Sequence, residues 1–367
     1  MRKFLAWLLI AATALSLFGC GSGSDRTEAA TNPVETVATE TTTAETQAAV
    51  QETEKTEQHL FLKVSAITFS VVGESEDIYL GLVSPELVTW ESDDPNVVSV
   101  ESGVLTANGV GTTTVRAVYE DQTVEIPAGC LAATQEELEA LDEATRAMPK
   151  RLPPEVLLEE PCDYFDNAAI VGDSITYFLM QWESKTNYLG DMLFLARGGV
   201  SMNGFVRRFK NIYYQGREVN LEDAVGNSGV ERVYFLMGSN DISSSTQRPH
   251  LHENWGILLE RIREKSPDVE IVLLSNIPLY GSDQDARSSE FTDHNQRIEE
   301  YNIWLKQFAE ENGCLYLDLC YYVLDHNGRM PEIYNQGSYH MNEVGCLNWM
   351  KILRYYAQYE LEGGSLT

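Results

Sequence analysis

The chain has 367 residues, 22% of them charged and 43% hydrophobic, with a formal net charge of −30. That is globular composition, long enough for two domains and tails. The acidity argues against nucleic acid as a partner, because such binding rests on Lys and Arg neutralising phosphates, and against a polybasic membrane patch.

The N-terminus reads as a targeting segment. Arg2 and Lys3 form a basic start, and Phe4 to Phe18 is an apolar run of h-region length, too short for a spanning helix. It ends in Leu17-Phe18-Gly19-Cys20, which resembles a bacterial lipobox with an atypical Phe in the middle. Residues 1–19 are therefore expected to be a lipoprotein signal peptide, with Cys20 as the lipidated new N-terminus and the mature chain extracytoplasmic. Residues 20–57 are rich in Thr, Glu and Ala, with almost no large apolar side chain. Such a stretch cannot bury a core and is expected to be a disordered tether, spanning roughly 35 Å as a coil.

From residue 58 the pattern changes to short β-rich runs: Leu60–Val64, Ile78–Val83, Val88–Trp90, Val97–Val100, Thr112–Val118 and Thr123–Ile126. Turn signals such as Asp94-Pro95-Asn96 and Asn108-Gly109 separate them, which predicts a β-sandwich over 58–130. The segments Trp90–Val100, Gly103–Ala107 and Gly111–Val115 resemble a group 2 bacterial immunoglobulin-like domain. The resemblance implies a spacer or a glycan- or protein-binding module. Residues 131–165 form a connector. Thr134 opens a capping box with Glu137, predicting a helix to about Met148, and Pro153 and Pro154 end it.

Residues 166–362 alternate the two periods. Strands are predicted at Ala168–Val171, Met192–Ala196, Val233–Met237, Ile271–Ser275 and Cys314–Asp318. Helices are predicted at Ile175–Lys185, Met202–Lys210, Glu253–Lys265, Asp293–Asn312 and Asn342–Gln358. This alternation, with strands that are continuous apolar runs, predicts a parallel sheet covered on both faces. The first strand runs into Gly172-Asp173-Ser174 and then a helix. That places Ser174 at the carboxyl edge of the sheet, where ligands bind in open α/β folds, and at a helix N-terminus, which favours negative charge.

A serine nucleophile needs a base, an orienter for the base, and donors for the oxyanion. Histidine is the expected base. Of the six histidines, His59 belongs to the other domain. His294 reads as solvated or capping in a helix's first turn, His326 sits in an Asp-His-Asn-Gly turn, and His250 and His252 lack the cluster a metal needs. His340 lies in the loop before the last helix, which should return to the sheet edge. Two other strand ends offer Gly198-Gly199 and Gly238-Ser239-Asn240-Asp241.

Together these blocks resemble the SGNH, or GDSL-like, hydrolase family. The resemblance implies a flavodoxin-like three-layer α/β/α fold with a five-stranded parallel sheet. It also implies a serine esterase or acylhydrolase that needs no cofactor and no metal. Carried over, Ser174 is the nucleophile and joins the oxyanion hole with its own N–H. Gly199 supplies a second N–H, with Gly198 as the register alternative, Asn240 supplies a side-chain donor, and His340 is the base. Gly172, Asp173, Gly198, Gly238 and Asp241 complete the motifs. One departure stands out: the family's aspartate three residues before the histidine is Gly337 here. A backbone carbonyl, Asn335 or Gln336 could orient the imidazole instead, Glu332 or Asp325 could fold in, or activity could be lost.

The expected function is a lipid-anchored enzyme cleaving O-acyl esters, O-acetyl among them, on a glycan. The rival is a non-catalytic surface module that binds glycan or protein with a decayed site. Beyond Cys20, the cysteines Cys130, Cys162, Cys314, Cys320 and Cys346 are expected to be buried thiols, a Cys130–Cys162 bridge being the alternative.

Overall fold

The computed structural model describes residues 59–158, 162–209, 211–281, 289–337 and 339–366. The expectations for the signal peptide, Cys20 and the tether lie outside the described residues.

The first part of the chain builds β1 (Ala66–Val71), β2 (Ser75–Asp77), β3 (Thr89–Ser92), β4 (Val98–Glu101), β5 (Val104–Ala107), β6 (Gly111–Tyr119) and β7 (Gln122–Ala132). Then come α1 (Gln135–Glu139), α2 (Glu143–Arg146) and β8 (Arg151–Leu152). One sheet has the order β3-β6-β7-β1-β8, the other β2-β5-β4. Alternate residues of both sheets, Phe69, Val98, Leu105, Val115 and Ile126 among them, share one core, as period-2 strands require.

Several expectations differ in this region. Neither Leu60–Val64 nor Ile78–Val83 forms a strand; a single bridge joins Tyr79 to Leu62, and Leu62, Val64, Ile78 and Val83 are buried from irregular backbone. The strand β1 escapes a reading by alternation because its polar residues are covered too: Thr68 and Ser70 are both buried. The connector helix is interrupted. Thr134 caps α1 through the Glu137 N–H, and Asp142 then caps a second helix, accepting from the Thr145 N–H at 2.9 Å. After α2 the chain does not leave as a linker. Its β8 pairs antiparallel with β1, Leu152 opposite Ala66.

The second part follows as β9 (Ala168–Gly172), α3 (Ser174–Thr186), β10 (Leu193–Ala196), α4 (Met202–Val206), β11 (Ile212–Tyr214), β12 (Arg217–Val219), α5 (Leu221–Ser228) and β13 (Arg232–Leu236). It continues with α6 (Ser239–Ser243), α7 (Leu251–Lys265), β14 (Glu270–Leu274), α8 (Ser289–Glu311), β15 (Leu315–Leu317), β16 (Asn335–Gln336), β17 (His340–Met341) and α9 (Glu343–Leu361). Five strands form a parallel sheet in the order β10-β9-β13-β14-β15, the doubly wound arrangement whose crevice lies beyond the strand carboxyl ends.

The continuous apolar runs have a simple cause. Ile170, Tyr234 and Val272 point into one core with Leu179 and Trp349, while Val171, Phe235 and Leu273 point into the other with Phe205, Trp255 and Leu305. Both sheet faces are dry, so successive residues must all be apolar. The hairpin β11–β12 and α5 escape a helix-and-strand reading of the sequence. Their signal is the Gln215-Gly216 turn, where both residues have positive φ, 47° and 79°, the geometry of a tight hairpin.

Candidate active site

Ser174 is placed by a turn that tolerates no other residue at its start. The last residue of β9, Gly172, has Thr176 packed against it: an added Cβ would sit 1.8 Å from Thr176 Oγ1. Asp173 then caps α3, its Oδ1 accepting from the Ile175 N–H at 2.9 Å. Ser174 opens a helix of 13 residues, so its hydroxyl lies at the positive end of the helix dipole.

His340 is delivered by a different element. The short pair β16–β17 sets Gln336 opposite His340, and Asn342 caps α9 through the Gly345 N–H at 3.0 Å. The imidazole Nε2 lies 2.9 Å from Ser174 Oγ. Its ring packs on Phe178, centroids 4.7 Å apart. Phe178 is four residues after Ser174 and therefore on the same helix face; the sequence reading missed it, although that spacing was its signal. Partial burial lowers the His340 pKa below the ordinary histidine value.

No carboxylate hydrogen-bonds His340 among the described residues. Asp325 closes its own turn, accepting from the N–H groups of Asn327 at 2.8 Å and Arg329 at 2.9 Å. Glu332 is exposed in a short 3₁₀ turn. Neither of these two carboxylates replaces the aspartate that Gly337 lacks.

The other two strand ends meet at the same edge. Gly198 approaches the serine closely: a Cβ there would be 4.0 Å from Ser174 Cβ. Gly199, exposed beside it, has φ +77°. Asn240, in the first turn of α6, donates through Nδ2 to the Val200 carbonyl at 2.8 Å and to Asp173 Oδ2 at 3.2 Å. It ties the Gly198-Gly199 loop to the Gly172-Asp173-Ser174 turn. Asp241 anchors the same loop from below, accepting from the Met202 and Asn203 N–H groups at 2.9 and 3.2 Å. Gly238 is the N-cap of α6 and packs on Tyr301, whose hydroxyl donates to the Met237 carbonyl at 2.9 Å. Burial pushes the carboxyl of Asp173 up to about 6, with the Asp241 charge adding to it; burial raises Asp241 as well.

The remaining histidines go elsewhere. His326 is buried and hydrogen-bonded to Ser70 Oγ at 3.0 Å. His252 stacks on Trp304 with centroids 3.8 Å apart. His294, expected to be solvated or capping, is buried and meets Tyr339 edge-on; α8 begins at Ser289, earlier than its sequence suggests. Among the described residues no group of three His, Cys, Asp or Glu is arranged to hold a metal. The five described cysteines are free thiols, so Cys130 and Cys162 are not bridged.

Residues 170–346 match the model of the GDSL-like Lipase/Acylhydrolase family. This stretch is a GDSL-like acylhydrolase domain. The acylhydrolase domain is similar to several solved structures. A GDSL-like lipase from Bacteroides thetaiotaomicron is 15% identical, with a TM-score of 0.43 over 55% of this chain and 93% of its own. A catalytic mutant of an acetylxylan esterase from Geobacillus stearothermophilus is 17% identical, with a TM-score of 0.33 over 55% and 95%. A carbohydrate esterase family 3 protein from Talaromyces cellulolyticus is 15% identical, with a TM-score of 0.37 over 54% and 99%. None of the curated proteins matches the chain.

Proposed function

We propose that the acylhydrolase domain cleaves O-acyl esters through an acyl-serine intermediate formed on Ser174. The observation that carries this reading is the 2.9 Å contact between His340 Nε2 and Ser174 Oγ, made at the carboxyl edge of the sheet. His340 Nε2 takes the hydroxyl proton as Oγ attacks the ester carbonyl. The tetrahedral oxyanion is met by the Ser174 N–H, the Gly199 N–H and Asn240 Nδ2, helped by the dipole of α3. His340 then returns its proton to the leaving alcohol, and the acyl group remains on Oγ. A water repeats the cycle and releases the acid.

Asn240 must share a hydrogen to do this, since both its amide hydrogens have acceptors. The longer contact, to Asp173 Oδ2 at 3.2 Å, is the one an oxyanion competes with. The base works as a dyad. The Phe178 ring, tilted 48° to the imidazole with centroids 4.7 Å apart, packs against it where a carboxylate would otherwise stand. The substrate is an O-acyl group, O-acetyl included, on a glycan. The enzyme acts outside the cytoplasm, held to the membrane through a lipid on Cys20, with the immunoglobulin-like β-domain beside it.

The experiment is turnover of p-nitrophenyl acetate, with labelling by a serine-directed fluorophosphonate. Ser174→Ala is expected to lose about 10⁴-fold or more in rate and all labelling. Wild-type protein that neither turns over nor labels would instead favour the binding-module reading.

A further inference from the structure

A cavity of about 740 Å³, lined by none of Ser174, Gly199, Asn240 or His340, opens where β8 meets α8 and the residues after β15. One wall is the face of α8 that carries Glu299, Ile303 and Lys306, spaced i, i+4, i+7. The other is Asp318 and Tyr321 after β15, with Arg329 beyond them. Arg151 of β8 closes the seam. The volume is that of a small-molecule site, set alongside the edge strand β15 and the residues that follow it.

The cavity is preformed because its seam is fixed. Arg151 pairs with both Glu76 carboxylate oxygens, at 2.6 and 2.8 Å, and donates to the Tyr321 carbonyl at 3.2 Å. Its guanidinium lies 4.3 Å from the Tyr321 ring centre. Backbone bonds continue the weld, from the Lys150 N–H to the Leu324 carbonyl at 2.8 Å and from the His326 N–H to the Arg146 carbonyl at 3.0 Å.

The lining selects a ligand class. Arg151 is paired with Glu76, and the rest of the lining carries two cations, Lys306 and Arg329, and two anions, Glu299 and Asp318. A polyanion finds carboxylates there, and a fatty chain finds charges. Ile303, 66% exposed, gives apolar surface, with Tyr321 half-buried under the Arg151 guanidinium behind it, while Glu299, Asp318 and Lys306 edge it with donors and acceptors. An apolar face with hydrogen-bonding edges matches a neutral pyranose.

We propose that this cavity is a binding site for a neutral oligosaccharide segment, rigidly set beside the ester-cleaving site. Ser174 follows β9, and β15, which lines the cavity, is three strand spacings from β9, or about 14 Å. A glycan chain long enough to cross that interval is what would join the two sites. The link to turnover rests on the esterase reading; the sugar binding does not.

The test titrates the full chain calorimetrically with xylohexaose, cellohexaose and chitohexaose, and compares wild type with the rim double variant E299Q/K306A. At least one sugar is expected to bind wild type and Ser174→Ala alike. The rim variant should bind it about tenfold more weakly, the scale of two lost hydrogen bonds, with p-nitrophenyl acetate turnover unchanged. Absence of binding by all three sugars, or equal binding by the rim variant, overturns the proposal. Wild type that binds sugar at the rim but never cleaves the ester would sink the esterase reading and leave this one standing.

Discussion

His340 has two known influences, and both bear on pH. Burial lowers its pKa, and among the described residues no carboxylate hydrogen-bonds it to raise it. The imidazole acts as a base only when neutral, so kcat/KM should rise with pH and reach half its plateau below the ordinary histidine value of about 6.5. Gly337 offers a way to alter this. Its φ is +73° and nothing lies within 4 Å of an added Cβ, and aspartate is among the residues that tolerate this backbone region. In Gly337→Asp the rising limb should move to higher pH, because an adjacent anion stabilises the imidazolium. A limb that stays put would show that a carboxylate there does not reach the ring.

Asp173 acts in the opposite sense on stability. Its folded carboxyl, raised to about 6, lies above the unfolded value of about 3.8. A raised pKa stabilises the fold fully below the unfolded value, and that contribution is lost as pH rises through the folded one. Between about pH 4 and 7 the wild type should lose up to about 3 kcal/mol through this group. Asp173→Asn should remove that slope, read as the difference between the two urea-unfolding profiles. Its kcat should fall, since an amide N–H would then face Asn240 Nδ2.

At the scale of elements, the loop from β10 to α4 is held by side chains of the next strand end. Asp241→Ala leaves the Met202 and Asn203 N–H groups without their acceptor and should cost about 1–3 kcal/mol for each buried group so stranded. It should also lower kcat more than it raises KM, because the loop carries Gly199. Much of this was legible in the chain. Gly-Asp-Ser, Gly-Gly and Gly-Ser-Asn-Asp each follow an apolar run, and a parallel sheet must bring such ends to one edge. Phe178 was legible only as a position on the helix face of Ser174; its packing on His340, and the bond from Asn240 to Asp173, were not, because they depend on which way side chains turn once the loops have closed.

Across the described residues from 59 on, the N-terminal sheets and the acylhydrolase stretch share structure. Tyr355 on α9 reaches the Leu62 backbone, its hydroxyl accepting from the N–H at 2.9 Å and donating to the carbonyl at 2.6 Å. Arg151 and Glu76 are each only 13% exposed at the side chain. Glu76→Ala leaves a buried guanidinium without its partner and should cost about 3–5 kcal/mol. Residues 59–366 should unfold in one transition, with far-UV and near-UV signals coincident; two separated transitions would mean that the seam contributes little. His326 adds a pH handle at this seam. Burial holds its pKa near 3, so its contribution is present above about 6.5 and is lost as pH falls through the folded value.

The sequence by itself determined the strand and helix alternation, the parallel sheet and the positions of Ser174, Gly199, Asn240 and His340. Apolar period and turn residues are local properties, and strand ends have only one edge to share. Tertiary structure alone decided three things. The short residues 135–152 return to the first sheet instead of linking domains, because their pairing partner β1 lies some 80 residues away in the chain. The loop that should have carried an aspartate places none at His340. And a cavity forms where Arg151 meets Tyr321, since neither side of that seam carries a motif that names the other.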